Sequence, residues 1–452
     1  MSARNRELFA LIPVALLVSA GFAAVFAVRS EEIGTLSLTY GAYFLAVCVA
    51  THFFLRIALK DADPYLFPLC AVLAAVGLVM LYRIEESLAV EQATVFLVGL
   101  GAFAATIVFL RDYHLLERYR YLIALGSIGL LLAPRLPGIG STVNGAYLAV
   151  DLGPLSFQTA ELGKIGIVIF LASYLNETRE LLSVAARRFM GLTIPPLKHF
   201  GPLLVVWGGA MVMLVFIRDL GSSLMFFGAF LALVYVATNR FSYVLIGLVM
   251  FMAGAAFFAS TVGHVQDRVD IWVDPFAADA PDGAGQVTSA LFAQSEGGLF
   301  GQGLGESLLK LPGPFAPSEA QCDGEVFPFC GSILPEPHTD FIFAVIVSEL
   351  GLFGACGLIA VYALIGLRGF KTAVMAPDGF SKLLATGLTA VFCFQAFVII
   401  GGVVKLIPLT GVTLPFISYG GSSIVANMIL LALLLLISDR ARRPQTQGGV
   451  AF

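Results

Sequence analysis

Twelve apolar stretches, most of them long enough to cross a lipid bilayer, dominate this chain. They run Leu8–Val28, Leu38–Leu55, Tyr65–Leu81, Ala93–Leu110, Tyr121–Ala133, Leu162–Leu175, Gly201–Ile217, Gly221–Thr238, Tyr243–Val262, Phe341–Leu367, Leu383–Val404 and Leu414–Ile437. A helix needs about 20 apolar residues to span the hydrocarbon. Tyr121–Ala133 and Leu162–Leu175 are short and must borrow flanking residues. The runs are continuous rather than alternating, which points to helices and away from a barrel. The expected fold is therefore an all-α polytopic membrane protein with about 12 transmembrane helices. Composition agrees: 58% of residues are hydrophobic and 12% charged, against about a quarter charged in soluble domains. No basic tract or aromatic–basic interleaving supports nucleic-acid binding. Leu8–Val28 follows Arg4 and Arg6 as a signal sequence would, yet no small-residue cleavage site leads into a soluble domain. It is read as a first transmembrane helix.

The 26 lysines and arginines are unevenly shared between the two sides. With the N-terminus in the cytoplasm, the inside segments hold most of them, including Arg4, Arg6, Arg111, Arg118, Arg120, Arg187, Arg188, Arg440, Arg442 and Arg443. The positive-inside rule then sets both termini in the cytoplasm. This puts the long acidic loop from about Gly263 to Thr339 outside, where its length alone suggests function. Cys48, Cys70, Cys356 and Cys393 lie in spans and read as small packing residues. Cys322 and Cys330 lie in the outer loop, where a disulfide and two free thiols are both open.

Ionisable residues gather near the outer surface. Glu161 and Lys164, three apart at a helix start, share a face and can pair. Lys164 leads into the apolar run Ile165–Leu171, and a lysine at that depth marks a polar cavity or a buried ion pair. Pro335-Glu336-Pro337-His338-Thr339-Asp340-Phe341 sets two prolines and a carboxylate directly before an apolar span. Asp340 there can hold substrate or take a proton; the plainer reading is that it or Thr339 only caps the helix. Asp219, in a tight turn, could likewise be a simple cap. Arg268, His338 and Lys405 fall on the same side. Glu349 lies about 13 Å deeper than Asp340 on an ideal helix and suits an internal network.

Pro408–Ser423 interrupts the last apolar region with two prolines, several glycines and the hydroxyls of Ser418, Tyr419 and Ser422 among others. Broken backbone at membrane depth must be buried in protein or line a cavity. A site for a polyprenyl chain and its head group, or a small-residue helix interface, would both fit. Asp61-Ala62-Asp63 matches a sugar-nucleotide metal motif but reads as a solvated loop. Gly301-Gln302-Gly303-Leu304-Gly305 has no strand and helix around it to make a dinucleotide fingerprint.

From about Tyr65 to Ile437 the chain resembles the SEDS family (shape, elongation, division and sporulation). The resemblance rests on Pro335–Phe343 with Ser348-Glu349-Leu350-Gly351 and on Pro408–Ser423. Asn144-Gly145-Ala146, Phe157-Gln158 through Glu161 and Lys164, Asp219-Leu220-Gly221, and Gln294-Ser295 with Gly301–Leu304 support it. Thr159-Ala160 and Tyr147-Leu148 depart from the family's usual Pro-Ser and Arg-Trp, which leaves the role of that arginine unassigned. The resemblance implies a ten-span glycosyltransferase core over 61–438, with the extracytoplasmic loop at 263–340. Residues 1–60 become a two-helix addition and 439–452 a short cytoplasmic tail, whose length favours the RodA branch over FtsW.

The implied activity is polymerisation of lipid II outside the cytoplasmic membrane, in elongation or division, with a class B penicillin-binding protein as partner. Asp340 is the implied essential carboxylate, and Glu161, Lys164 and Asp219 match further family positions. In this reading Asp340 is the base, while Lys164, Arg268 and Lys405 face the diphosphate. His338, Thr339, Ser418, Tyr419 and Ser422 are expected to bind substrate. No cofactor is required, since the lipid diphosphate is its own activated leaving group; a divalent cation stays open. The rival is a flippase for the lipid-linked precursor, which would need polar residues along the whole crossing path.

Overall fold

The ends of the long helices fall where the apolar runs meet prolines, glycines and charges. A computed structural model describes residues 3–28, 35–138, 140–143, 146–152, 155–184, 187–189, 192–194, 209, 220–277, 284–307, 334 and 336–443. The expected span Gly201–Ile217, together with Asn144, Gly145, Asp219, Cys322, Cys330 and Pro335, lies outside them. Helices α1 (Ala3–Val28), α2 (Thr35–Ala58), α3 (Leu66–Ile84) and α4 (Glu86–Phe109) come first. Next are the short α5 (His114–Arg118), α6 (Arg120–Leu132) and α7 (Thr159–Val184). Then follow α8 (Leu220–Thr238), α9 (Phe241–Thr261), α10 (Gly263–Val273), α11 (Ala284–Gly297), α12 (Ile342–Met375), α13 (Gly379–Val403) and α14 (Gly421–Arg442).

Among the described residues, nine helices are long and apolar enough to cross a membrane. The short α6 and the charge-bearing α7 are not in that set. A small antiparallel sheet, β1 (Gly140–Val143), β2 (Ala146–Leu152) and β3 (Leu155–Phe157), joins α6 to α7. A hairpin of β4 (Arg187–Phe189) and β5 (Leu192–Ile194) follows α7.

Helices α3, α8, α13 and α14 are mostly enclosed by protein, whereas α1, α2, α4, α9 and α12 present much of their surface outward. Helix α14 packs along α4, α13 lies between α8 and α12, and α1 packs on both α2 and α3. An apolar outer surface is stable here because lipid, not water, surrounds it. Cys48 and Cys70 are buried as expected, but Cys356 is exposed on α12.

Two expectations need correction. The segment after Gly263 is not a plain loop: α10 and α11 lie within it, and α11 packs on α12. Asp61–Asp63 is not solvated either. Asp63 is fully buried, paired with Arg442 and with Arg368 at 3.6 Å, and the Asp61 N–H donates to Asp439. Arg4 pairs with Glu7 and donates to the Ala62 carbonyl, so α1 is clasped at the same place. Two arginines and the burial of Ala62 turn a polar-looking loop into an ion-paired plug.

Candidate active site

Residues 404–420, between α13 and α14, thread through the bundle. Val412, Leu414, Phe416 and Ile417 are buried. Lys405 (φ 60), Gly411 (φ 69) and Phe416 (φ 65) adopt left-handed backbone, uncommon for the two non-glycine residues. Such positions persist only where surrounding contacts over-determine them. Gly77 of α3 supplies one of those contacts: a side chain there would come within 2.7 Å of the Phe416 carbonyl oxygen. The Tyr362 hydroxyl donates to the Pro415 carbonyl at 2.7 Å. The expected span from Leu414 therefore starts as helix only at Gly421.

Asp340 lies in a turn closed by the Thr339 and Phe341 N–H groups donating to the Glu336 carbonyl. Phe341 is the N-cap of α12 and no side chain caps it, so the simple capping role for Asp340 and Thr339 is absent. The threaded segment holds this turn in place. Tyr419 N–H donates to the His338 carbonyl at 2.8 Å, and Ser418 Oγ donates to the Thr339 carbonyl at 2.7 Å while accepting from Leu414 N–H. The His338 ring stands edge-on to Tyr419 and lies 3.6 Å from Glu336. Gln92 of α4 completes the brace, donating to the Ser418 carbonyl at 2.9 Å and accepting from Gly420 N–H at 3.2 Å.

Among the described residues no donor reaches the Asp340 carboxylate. Desolvation in its recess pushes that carboxyl up to about 6; nearby Arg268 opposes the rise and Glu336 adds to it. Arg268, on α10, donates to the Leu409 carbonyl at 2.6 Å. A carboxylate with no internal donor, tuned close to neutrality and faced by a guanidinium, has the chemistry of a general base beside an anion.

Glu161 and Lys164 are tied to the same segment through Gln395, at Thr413. Lys164 Nζ donates to Glu161 Oε2 and to Gln395 Oε1, both at 2.5 Å. Gln395 Nε2 donates to the Thr413 carbonyl at 2.8 Å and to Glu161 Oε1 at 3.3 Å. All three side chains are enclosed. The Gln158 N–H, just before α7, donates to Ser422 Oγ at 2.8 Å. Thus Asp340, Arg268, His338, Thr339, Ser418 and Tyr419 gather on one stretch of residues 404–420. Glu161 and Lys164 join the same stretch through Gln395 at Thr413, and Ser422 lies just beyond it on α14.

Lys405 stands apart. It is half-buried and donates to the Val273 carbonyl at 3.2 Å, while Trp272 donates back to the Lys405 carbonyl. Charge-based reading passed over Gln92 and Gln395, although a glutamine inside an apolar span is itself a signal, because a buried amide demands partners. Among the described residues no group of three or more His, Cys, Asp or Glu could hold a metal ion.

A sequence model of the FtsW, RodA and SpoVE family, described as cell cycle protein, matches residues 63–319 and 330–443. The peptidoglycan glycosyltransferase RodA of Mycobacterium tuberculosis is 38% identical over 98% of this chain and 92% of its own length. A probable peptidoglycan glycosyltransferase FtsW of Legionella pneumophila is 33% identical over 79% of this chain and 83% of its own length. Among solved structures, a chain of a peptidoglycan synthase complex that coordinates polymerisation and crosslinking superposes with a TM-score of 0.63. It shares 25% identity, covering 85% of this chain and 99% of that one. The rod shape determining protein RodA of Thermus thermophilus gives a TM-score of 0.57 at 26% identity, with 85% and 98% covered.

Proposed function

This chain belongs to the FtsW, RodA and SpoVE family of cell cycle proteins, and from that premise we propose that it is a peptidoglycan glycosyltransferase that joins lipid II units into glycan strands. Asp340 removes the proton from the attacking sugar hydroxyl. Arg268, and Lys164 once it leaves Glu161, offset the charge on the departing lipid diphosphate. The reaction runs at the outer face of the cytoplasmic membrane, with both termini inside, in cell-shape maintenance or division. A class B penicillin-binding protein crosslinks the product. Lys405, tied to Val273, serves at the rim of the site. Asp219, outside the described residues, belongs to the proposed substrate-binding set by its family position. The lipid diphosphate is the activated donor, so no further cofactor is needed.

The observation that carries this reading is the Asp340 carboxylate, which accepts no hydrogen bond among the described residues, has its ionisation raised to about 6, and faces Arg268. A flippase is not favoured. The candidate site gathers at the start of α14, and the buried ion pairs of Asp63 lie at its other end. Between them lies the apolar run Met428–Ile437. Purified protein incubated with lipid II, with and without a class B penicillin-binding protein, tests the proposal. Polymer from the wild type and none from Asp340→Asn is the expected result; equal polymer from both removes Asp340 from the chemistry.

A further inference from the structure

Gln395 sits midway along α13, fully enclosed, in the apolar run Val391–Ile400. An amide placed there is costly unless both its ends are satisfied. Both are. Its oxygen accepts from Lys164 at 2.5 Å, and its nitrogen donates to the Thr413 carbonyl at 2.8 Å and to Glu161 at 3.3 Å. Three separate parts of the chain therefore meet at one side chain: α7 through the ion pair, α13 through Gln395 itself, and residues 404–420 through Thr413. Those same residues hold the turn of Asp340 at Ser418 and Tyr419, and two positions before Thr413 a side chain on Gly411 would come within 3.7 Å of the Asp340 carboxylate.

No smaller or purely apolar side chain could make these links. A glutamine donates and accepts at once, so it fits between an ammonium, which only donates, and a carboxylate and carbonyl, which only accept. We propose that Gln395 is a positioning residue for glycosyl transfer, holding Lys164 and Glu161 in register with residues 404–420 so that release of the lysine to the diphosphate and the setting of Asp340 occur together. This rests on the glycosyltransferase reading. Gln395 touches no substrate; it acts through Lys164 and Thr413.

The test uses full-length protein in liposomes. Gln395→Met keeps the length of the side chain and removes both hydrogen-bonding ends. We expect kcat to fall about tenfold or more through misplacement of Lys164, with KM for lipid II nearly unchanged. In a Lys164→Met background the same substitution adds little, because the two residues act as a unit. Gln395→Glu can still accept from Lys164 but cannot donate to Glu161 or Thr413 when ionised, and it loses kcat in the same direction.

A measurement independent of turnover accompanies these. Acylation of the Lys164 amine, read by mass spectrometry, is slow in the wild type and at least several-fold faster in Gln395→Met. Wild-type kcat in Gln395→Met, additive losses in the double variant, or unchanged acylation would each overturn the proposal. Should the wild type fail to polymerise lipid II, the glycosyltransferase reading falls, and the acylation rates still decide whether Gln395 holds the lysine.

Discussion

Asp340 and Glu349 stand at opposite ends of one short helical segment. Asp340 lies two residues before Ile342, where α12 begins, and Glu349 lies two before Gly351, where a left-handed residue (φ 65) breaks it. On both sides of the break the backbone is stitched to the segment after α11. Gln302 and Gly303 donate to the Ser348 and Glu349 carbonyls, and Leu352 and Phe353 donate to those of Gly298 and Leu299. Gly351 is required there, since a side chain would come within 2.4 Å of the Gly301 nitrogen. The buried Glu349 carboxylate accepts from Ser307 Oγ at 2.6 Å and Gly305 N–H at 3.1 Å, and lies 3.0 Å from Arg83 Nε. One end of the segment is thereby anchored, and that anchor sets the position of Asp340 at the other.

Glu349→Ala is expected to lower stability by about 3–5 kcal/mol, the cost of leaving a buried partner uncompensated. Thermal unfolding in detergent and limited proteolysis across 298–307 measure this. A variant with wild-type melting and no new cleavage would show that the anchor is dispensable.

The rate of polymerisation is expected to rise with pH through about 6 and level off above it, because Asp340 must be ionised to act as a base. The stability effect has the opposite sign. A carboxyl raised from 3.8 to about 6 contributes stability that is fully present below 3.8 and lost as pH passes 6. Asp340→Asn should therefore abolish polymerisation and melt slightly higher than the wild type at neutral pH. A lower melting temperature would contradict the desolvated carboxylate.

Arg268→Ala removes the cation that holds the Asp340 carboxyl down, so the acid limb of the pH–rate profile should move to higher pH. It also removes the donor to the Leu409 carbonyl. Profiles of both proteins on lipid II decide the matter; superimposable acid limbs would mean that Arg268 does not act on Asp340 during the reaction.

Lys164→Ala leaves Glu161 buried without its cation and is expected to cost about 3–5 kcal/mol of stability. Glu161→Ala with Lys164→Ala removes both charges and should recover much of that loss without restoring polymerisation. Lys164→Arg keeps the charge in a different shape and should retain part of the activity. A stable double variant polymerising near the wild-type rate would reduce the pair to a packing device.

Membrane class, nearly all the long helices and the polar turn at Asp340 were legible in the sequence, because hydropathy and proline punctuation are local properties of short windows. The pairing of Glu161 with Lys164 was legible for the same reason, being one helical turn. What the tertiary structure decided depends on contacts between residues distant along the chain. Gln395 meets Lys164 across 231 positions, and Gln92 meets Ser418 across 326. No local pattern assigns a partner over such separations. Asp63 looked solvated until Arg442 closed on it, and Glu349 gained its role only when the 298–307 segment folded into the break at Gly351. The sequence alone determined which groups are polar; folding determined which of them are satisfied by one another, and it left Asp340 with no internal donor among the described residues.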